Sequence, residues 1–375
     1  FCPDVRGGRK RHFYGINRRD LRDNKTEKQR AAFRPEAAPP EEESLPMCTA
    51  VTYQTQSLYC GRNLDYDRSY GESVVVTPRR FAPPHRRPSG PYALIGMGHV
   101  RGGYPLYYDA VNEKGLYMAG LNFVGNAVYE KDAPGADNVP QYALILRILS
   151  ECADSGEACA RLRQLRLTDT LFEADLPAAQ LHWMLADRRG CFAVESTREG
   201  LQIYADPAGV LTNNPPFPQQ LFALNNYCRL SPDDPENRWA PELPLELYSR
   251  GLGGLGLPGD LSSQSRFIRA AFVRHHSRSG SSEEESVHQM FHILGAVEQP
   301  DGCCRTESGG WERTLYSTCC NTERWIYYYT TYEDRQITAV EGYKTDIDGG
   351  FLTVYPMVSR PRFHAPCPPV IDKFS

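Results

Sequence analysis

Met47-Cys48-Thr49-Ala50-Val51-Thr52-Tyr53 alternates in the manner of a half-buried strand, and Leu58-Tyr59-Cys60-Gly61-Arg62-Asn63 resumes the pattern after a short polar segment. The two runs have the period of two that is typical of strands, and the polar residues 54–57 between them predict a turn. The sequence therefore predicts an antiparallel hairpin. Folding about this turn sets Cys48 opposite about Asn63, makes Arg62 an adjacent cross-strand neighbour and leaves Asp65 just past the strand end.

Cys48 follows a methionine, so a chain that begins at Cys48 carries a thiol and a free α-amine on one residue. An α-amine has an unperturbed pKa of about 7.7 to 8.0 and can accept the thiol proton near neutral pH. A guanidinium beside the sulfur favours the thiolate, and a carboxylate can orient the thiol or the ammonium. These residues predict an N-terminal nucleophile amidohydrolase. The alternative is an inert buried cysteine beside a surface pair of Arg62 and Asp65.

The chain resembles the choloylglycine hydrolase family, which contains bile salt hydrolases and penicillin V acylases. The resemblance covers about residues 47–345, and its motifs occur in family order. These motifs are residues 47–51, 61–66, 70–72, 120–123, 211–215, 258–263, 265–267 and 312–315. The resemblance implies that Cys48 is the nucleophile and that Arg62 and Asp65 hold and tune it.

Three further site residues are implied by the same resemblance. Asn122 and Asn213 match the oxyanion-hole pair of the family, in which one donor is a backbone amide and the other a side-chain amide. Arg266 matches an active-site arginine that holds the polar network or orders the surroundings of the α-amine. From the residues alone, an Asn before Asn-Pro is an ordinary turn signal and Arg266 is a candidate for a helix surface.

Periodicity predicts an α+β fold, and the length together with the extent of the resemblance implies one catalytic domain at 47–354. Strand-like runs occur at 48–53, 58–63, 73–77, 181–187, 191–195 and 325–331, and helix-like runs near 140–151, 156–165, 262–274 and 284–295. Residue patterns predict only layers of helix and sheet, whereas the resemblance implies the four-layer αββα sandwich of N-terminal nucleophile hydrolases. We expect residues 355–375 to form a C-terminal extension of unreadable role.

Residues 1–46 are predicted to be a non-native leader or upstream extension, disordered and absent from the active enzyme. A group attached to the Cys48 nitrogen converts the base into a non-basic amide. Two routes expose Cys48, which are removal of a propeptide and initiation at Met47 followed by loss of the methionine. Because the segment is long and charged, the second route is favoured.

The charge of −4 is divided unevenly, with a net +3 in residues 1–46 and −7 in residues 47–375. No run approaches the roughly 18 apolar residues of a membrane span, and no basic groove for nucleic acid is indicated. An apolar secretory core is also missing, so we expect a cytoplasmic protein. By family resemblance, the excursion at 215–260 indicates a homotetramer or dimer.

Twelve cysteines include the doublets at 303–304 and 319–320. Adjacent cysteines reach one zinc ion poorly, so we expect no metal and no cofactor. A papain-like role for Cys48 is disfavoured, because the Cys-Gly-x-Cys-Trp motif of such proteases does not occur and no pattern points to a catalytic histidine.

Three functions stay open at this stage. The first is a bile salt hydrolase that cleaves glycine or taurine from a steroid acid, and the second is a penicillin V acylase or related N-acyl amidase. The third is a catalytically silent binding protein with a blocked Cys48. Asn122 favours the first, since penicillin V acylases tend to carry an aromatic residue there. We expect the loops at 123–129 and 66–70 to supply a wide apolar cleft for a steroid.

Overall fold

The computed structural model describes residues 47–365 except 85, 175, 362 and 364. The predicted leader at 1–46 and residues 366–375 lie outside the described residues. The strands are β1 (Met47–Gln54), β2 (Leu58–Tyr66), β3 (Ser73–Thr77), β4 (Leu94–Arg101), β5 (Tyr104–Asn112), β6 (Tyr117–Asn122), β7 (Asn138–Pro140), β8 (Arg166–Thr168), β9 (Leu181–Asp187), β10 (Gly190–Thr197), β11 (Gly200–Ala205), β12 (Val210–Leu211), β13 (Cys304–Arg305), β14 (Trp311–Asn321), β15 (Ile326–Thr331), β16 (Thr338–Glu341) and β17 (Thr353–Pro356).

The α-helices are α1 (Leu144–Glu151), α2 (Ser155–Leu162), α3 (Phe217–Ala223), α4 (Ser263–His276) and α5 (Glu283–Gly295). Short 3₁₀ turns lie at Gln141–Ala143, Leu224–Tyr227, Leu252–Gly254 and Gly342–Lys344. Side chains that bond to free backbone N–H groups set where the last two α-helices begin. Ser262 accepts from the Ser265 N–H at the start of α4. Ser282 and Glu285 form a reciprocal capping box at the start of α5.

Two antiparallel sheets face one another between two helical layers. The first sheet has the order β12-β1-β2-β14-β15-β16, with β13 beside β14, and the second has the order β11-β10-β9-β6-β5-β4-β3-β17. One apolar core joins the facing sheet surfaces and also takes in α4 and α5, while a second core lies between the far surface of the second sheet and α1 and α2. This arrangement is the four-layer αββα sandwich, and the predicted α+β class is confirmed.

Strand β3 illustrates why the second sheet is apolar on both surfaces. Val74 and Val76 belong to the core between the sheets, and Val75 belongs to the core under the helices. Successive side chains of a strand point to opposite faces, so a strand covered on both faces has a continuous apolar run.

The hairpin forms as predicted, but its register differs by one residue. Cys48 lies opposite Leu64, and Asn63 lies opposite Thr49. The predicted partner of Cys48 was wrong because Gln54 joins β1 and pairs with Leu58, which shortens the turn to residues 55–57. The second strand also runs to Tyr66, so Asp65 lies inside β2 and not past its end.

The two predicted boundary segments have more structure than the sequence indicated. β17 pairs with β3 and ends at Pro356, so the expected limit at 354 falls inside a strand. The segment 215–260 begins with α3 and a 3₁₀ turn and is then irregular until residue 252. In the described part of the chain, every helix is too short or too polar to cross a membrane.

Candidate active site

The open end of the hairpin brings Cys48 and Arg62 into contact. The Arg62 Nη2 atom lies 2.5 Å from the Cys48 Sγ atom. Its Nη1 donates to the backbone carbonyl of Gly120 at 2.6 Å and to that of Tyr108 at 3.1 Å, which come from the second sheet. Both Arg62 and Cys48 are buried. The backbone carbonyls of β5 and β6 therefore fix the Arg62 guanidinium through Nη1, and Nη2 is left facing the sulfur.

Burial dominates the electrostatics of the nucleophile candidate. Desolvation raises the pKa of the Cys48 thiol above its ordinary value, and the Arg62 charge opposes this increase without cancelling it. The charge of Asp65 raises the same pKa, while a hydrogen bond from the Asn122 backbone N–H lowers it. The sequence led us to expect that the cation would favour the thiolate, and here burial outweighs it. A group that takes the thiol proton is therefore needed.

Asp65 is surrounded by donors rather than solvent. Its carboxylate accepts from Thr314 Oγ1 at 2.5 Å and from Gln299 Nε2 at 3.1 Å, and Arg266 Nη1 lies 3.8 Å away. Burial raises the pKa of Asp65, and Arg266 and these two donors oppose that increase. Gln299 was not found by sequence reasoning, because it is a single polar residue outside any motif.

The two predicted oxyanion-hole asparagines lie together beside the sulfur. Asn213 Nδ2 donates to the Asn122 carbonyl at 3.0 Å, and its Oδ1 accepts from the Cys48 N–H at 2.9 Å. A side-chain amide has two N–H groups, so one remains for a reacting oxygen. Together with the Asn122 backbone N–H, which points to Cys48, this gives two donors of the kind that stabilise an oxyanion.

Arg266 is fully buried in the first turn of α4, so the helix-surface alternative is wrong. Its Nη1 donates to the Cys48 carbonyl at 2.6 Å and to Thr49 Oγ1 at 2.5 Å. Its Nη2 donates to Asn213 Oδ1 at 2.7 Å. Arg266 thus orients both the start of β1 and the Asn213 amide, whose oxygen accepts from Arg266 and from the Cys48 N–H.

Glu312 binds the backbone of Met47, the residue before Cys48. Its carboxylate accepts from the Met47 N–H at 2.6 Å, and the Cys304 Sγ lies 3.5 Å from it. Glu312 is 3 % exposed, and burial raises its pKa to about 7. The motif at 312–315 contained this residue, but the pattern did not indicate its contact with Met47 at the start of β1.

A cavity of 330 Å³ opens on Cys48 and Arg62. Much of its wall is apolar or aromatic and includes Leu106, Tyr142, Phe172 and Leu181. Of the two loops expected to supply the cleft, the loop at 66–70 contributes Tyr70. The lining of this cavity contains no residue of the loop at 123–129, in which Phe123 is fully buried and stacks on His182. Much of the wall comes from the segments 99–108, 141–142 and 172–181, which were not expected to line the cleft.

The cysteines of the two doublets differ in burial. Cys319 and Cys320 are buried in β14, Cys304 is partly exposed in β13, and Cys303 is exposed. Among the described residues, no group of three or more His, Cys, Asp or Glu side chains is arranged to hold a metal ion.

Residues 48–355 match the family model of linear amide C–N hydrolases, choloylglycine hydrolase family. The chain belongs to this family. It is 46 % identical over 322 residues to the bile salt hydrolase/transferase of Lactiplantibacillus plantarum, covering 85 % of this chain and 99 % of that one. The corresponding enzyme of Clostridium perfringens is 34 % identical over 318 residues and covers 82 % and 96 %.

Solved structures show the same fold. A conjugated bile acid hydrolase from Clostridium perfringens superposes with a TM-score of 0.79 at 33 % identity, covering 85 % of this chain and 99 % of that one. Penicillin V acylase from Agrobacterium tumefaciens superposes with a TM-score of 0.62 at 20 % identity, covering 85 % and 100 %, which supports the fold alone. As a member of an amide hydrolase family, the chain has a nucleophile candidate at residue 48, where the family match begins.

Proposed function

We propose that this chain hydrolyses the amide bond between a steroid acid and glycine or taurine, with Cys48 as the nucleophile. One observation carries the proposal, which is the Arg62 guanidinium 2.5 Å from a cysteine sulfur at the end of an apolar cleft. Further support comes from relatives named bile salt hydrolase/transferase that are 46 % and 34 % identical. A steroid nucleus matches a wall of leucine and aromatic side chains.

In the acylation step, the free α-amine of Cys48 takes the thiol proton and the sulfur attacks the amide carbon. The carbonyl oxygen becomes an oxyanion, which the Asn122 backbone N–H and the free Asn213 side-chain N–H stabilise. Donors of this kind are worth about 2.7 to 4 kcal/mol each. The α-ammonium then gives its proton to the leaving nitrogen, the C–N bond breaks, and a thioester remains on Cys48.

In the deacylation step, water attacks the thioester carbon while the α-amine accepts its proton. The C–S bond breaks, the free steroid acid leaves, and the proton returns to the sulfur. Arg62 supports negative charge on the sulfur in both steps. Arg266 holds the surrounding network through its bonds to the Cys48 carbonyl, Thr49 and Asn213. Asp65, which accepts from Thr314, lies beside Arg266.

The mechanism requires a chain that begins at Cys48, so residues 1–46 and Met47 are proposed to be absent from the active enzyme. In the chain described here, the Cys48 nitrogen belongs to a peptide bond and donates to Asn213 Oδ1 at 2.9 Å. Removal of the preceding residues would convert this nitrogen into the free α-amine that the mechanism uses. The active enzyme is then a single catalytic domain that starts with the nucleophile.

Self-assembly into a homodimer or homotetramer in the cytoplasm is part of the proposal. Exposed apolar side chains after α3 support the assembly, with Trp239 85 % and Tyr248 87 % exposed. A monomeric mass of the purified enzyme by light scattering would overturn this part.

The function is tested with purified chain beginning at Cys48, assayed on glycine conjugates, taurine conjugates and penicillin V. We expect kcat/KM for conjugated bile salts to exceed that for penicillin V. A reversed ratio would place the chain with the acylases, which share the proposed nucleophile chemistry. Absence of turnover on all three substrates, with Cys48 shown to be the free N-terminus, would favour the binding-protein alternative.

A further inference from the structure

A buried pair of His182 and Glu195 lies behind the oxyanion donors. Both side chains are completely buried, and His182 Nδ1 lies 3.0 Å from Glu195 Oε1. The same carboxylate oxygen accepts from the Phe217 N–H at 2.9 Å. Glu195 Oε2 has no hydrogen-bond partner among the described residues. Burying such a pair costs free energy. Its position directly behind the oxyanion donors therefore points to a role in the site.

One side of the imidazole bonds to the peptide that carries Asn213. His182 Nε2 lies 2.7 Å from the Thr212 carbonyl oxygen. A carbonyl oxygen only accepts, so Nε2 must carry a proton and donate it. The N–H of the same peptide, that of Asn213, donates to Ser263 Oγ at 2.9 Å. Since a peptide unit is planar, these two bonds fix the plane from which the Asn213 side chain extends.

The face of the imidazole contacts the other donor segment. The rings of His182 and Phe123 stack with their centroids 4.3 Å apart and their planes at 4°. Phe123 directly follows Asn122, whose backbone N–H points to Cys48. One imidazole therefore touches a neighbour of each oxyanion donor, although the two donors lie on separate segments of the chain.

We propose that His182 is a positioning residue that holds Asn213 and Asn122 in register around the oxyanion, and that Glu195 holds the imidazole in that orientation. His182 touches no reacting atom. Its effect is on the transition state, because the donors bind the oxyanion only when that charge forms. A donor displaced by a fraction of an ångström then stabilises the oxyanion less. The inference rests on the proposed hydrolysis and extends it to residues behind the site.

The decisive variant combines His182→Phe with Glu195→Gln in a chain that begins at Cys48. The phenyl ring retains the stack on Phe123 but has no donor for the Thr212 carbonyl, and the new side-chain amide retains an acceptor for the Phe217 N–H. We expect kcat on a glycine-conjugated bile salt to fall roughly tenfold with KM changed less than about twofold. His182→Gln retains an N–H donor and should recover most of the lost kcat.

A double-mutant cycle separates positioning from general destabilisation. In an Asn213→Ala background, the same His182→Phe and Glu195→Gln changes should lower kcat less than about twofold, because the amide that they misplace is gone. Leu185→Ala is the control. Leu185 is fully buried in the same strand but belongs to the core under the helices, so the variant should lose stability and keep kcat.

The rate of Cys48 alkylation by iodoacetamide should stay unchanged in the His182 variants, since Arg62 is not disturbed. The proposal is overturned if kcat is unchanged, if it falls equally with and without the Asn213 amide, or if Leu185→Ala lowers it as much. Failure of the proposed function would look different, because the unsubstituted chain would then hydrolyse no bile salt conjugate.

Discussion

The hairpin of β1 and β2 contains a buried cysteine near each end, and the two have opposite surroundings. Cys48 is in contact with the Arg62 guanidinium and receives a hydrogen bond from the Asn122 N–H. Cys60, near the turn, lies opposite Cys320 of β14 and has no comparable donor among its described contacts. Burial raises the pKa of both thiols. The comparison shows that charged and polar neighbours, rather than burial, distinguish the proposed nucleophile Cys48 from the packed thiol of Cys60.

The largest expected effect separates the two cysteines directly. Cys48→Ala should leave folded protein without measurable turnover, because the nucleophile and its proton route are both lost. Cys60→Ala should retain most activity, as should replacements of Cys303 and Cys320. Circular dichroism and bile salt hydrolysis are the measurements. Full activity of the Cys48→Ala protein would refute the assignment of the nucleophile.

The second prediction tests whether contact with Arg62 is sufficient to make the Cys48 thiol reactive at the open end of the hairpin. A chain that retains residues 1–46 should be nearly inactive, since its Cys48 nitrogen is a non-basic amide. A chain beginning at Cys48 should be active and should show Cys-Thr-Ala-Val by N-terminal sequencing. Intact mass of each preparation is the control. Robust turnover by the extended, uncut chain would contradict the α-amine mechanism.

The third prediction compares Arg62, at the open end of the hairpin, with Arg274, beside its turn end. Arg62→Ala should lower kcat at least about tenfold and move the pH profile of Cys48 alkylation to higher pH, because the positive charge that opposes desolvation is removed. Arg274→Ala is the matched control at the turn end, where Arg274 bonds to Thr52 at 2.5 and 3.1 Å. An unchanged alkylation profile in Arg62→Ala would remove Arg62 from its role.

The smallest effect concerns stability at the turn end, where Asp206 accepts from the Gly209 N–H at 2.8 Å. Burial raises the pKa of Asp206 to about 6, so the folded state keeps a proton that the unfolded state releases near pH 4. Stability from this group is complete below about pH 4 and is lost as the pH rises to about 6.

Asp206→Asn should therefore remove a decline of roughly 2 to 3 kcal/mol in the free energy of unfolding across that window. Urea unfolding at intervals between about pH 4 and 6.5 measures the difference between the two proteins. Catalysis by folded protein should be unaffected. A constant difference at all pH values would show that folding does not raise the pKa of Asp206.

The sequence determined the local part of this molecule. Alternation predicted the hairpin and the bounds of β3 and β9, and helix periodicity located α4 and α5 within a few residues. It also placed Arg62 near Cys48, because residues close in a hairpin are close in space. The one-residue register difference arose at the turn, where the preference of Gln54 for strand or turn depends on its neighbours.

The family resemblance implied that Asn122, Asn213 and Arg266 belong to the site, but only the tertiary structure decided how these distant residues contact Cys48. The Cys48 N–H and Asn213 Oδ1 meet across 165 residues of chain, and the Cys48 carbonyl and Arg266 Nη1 meet across 218. The burial of Arg266, the Glu312 contact, the cleft wall and the His182–Glu195 pair all depend on how the layers pack. Periodicity predicts the direction in which a side chain points from its own strand or helix, but it does not predict which element packs against that side chain.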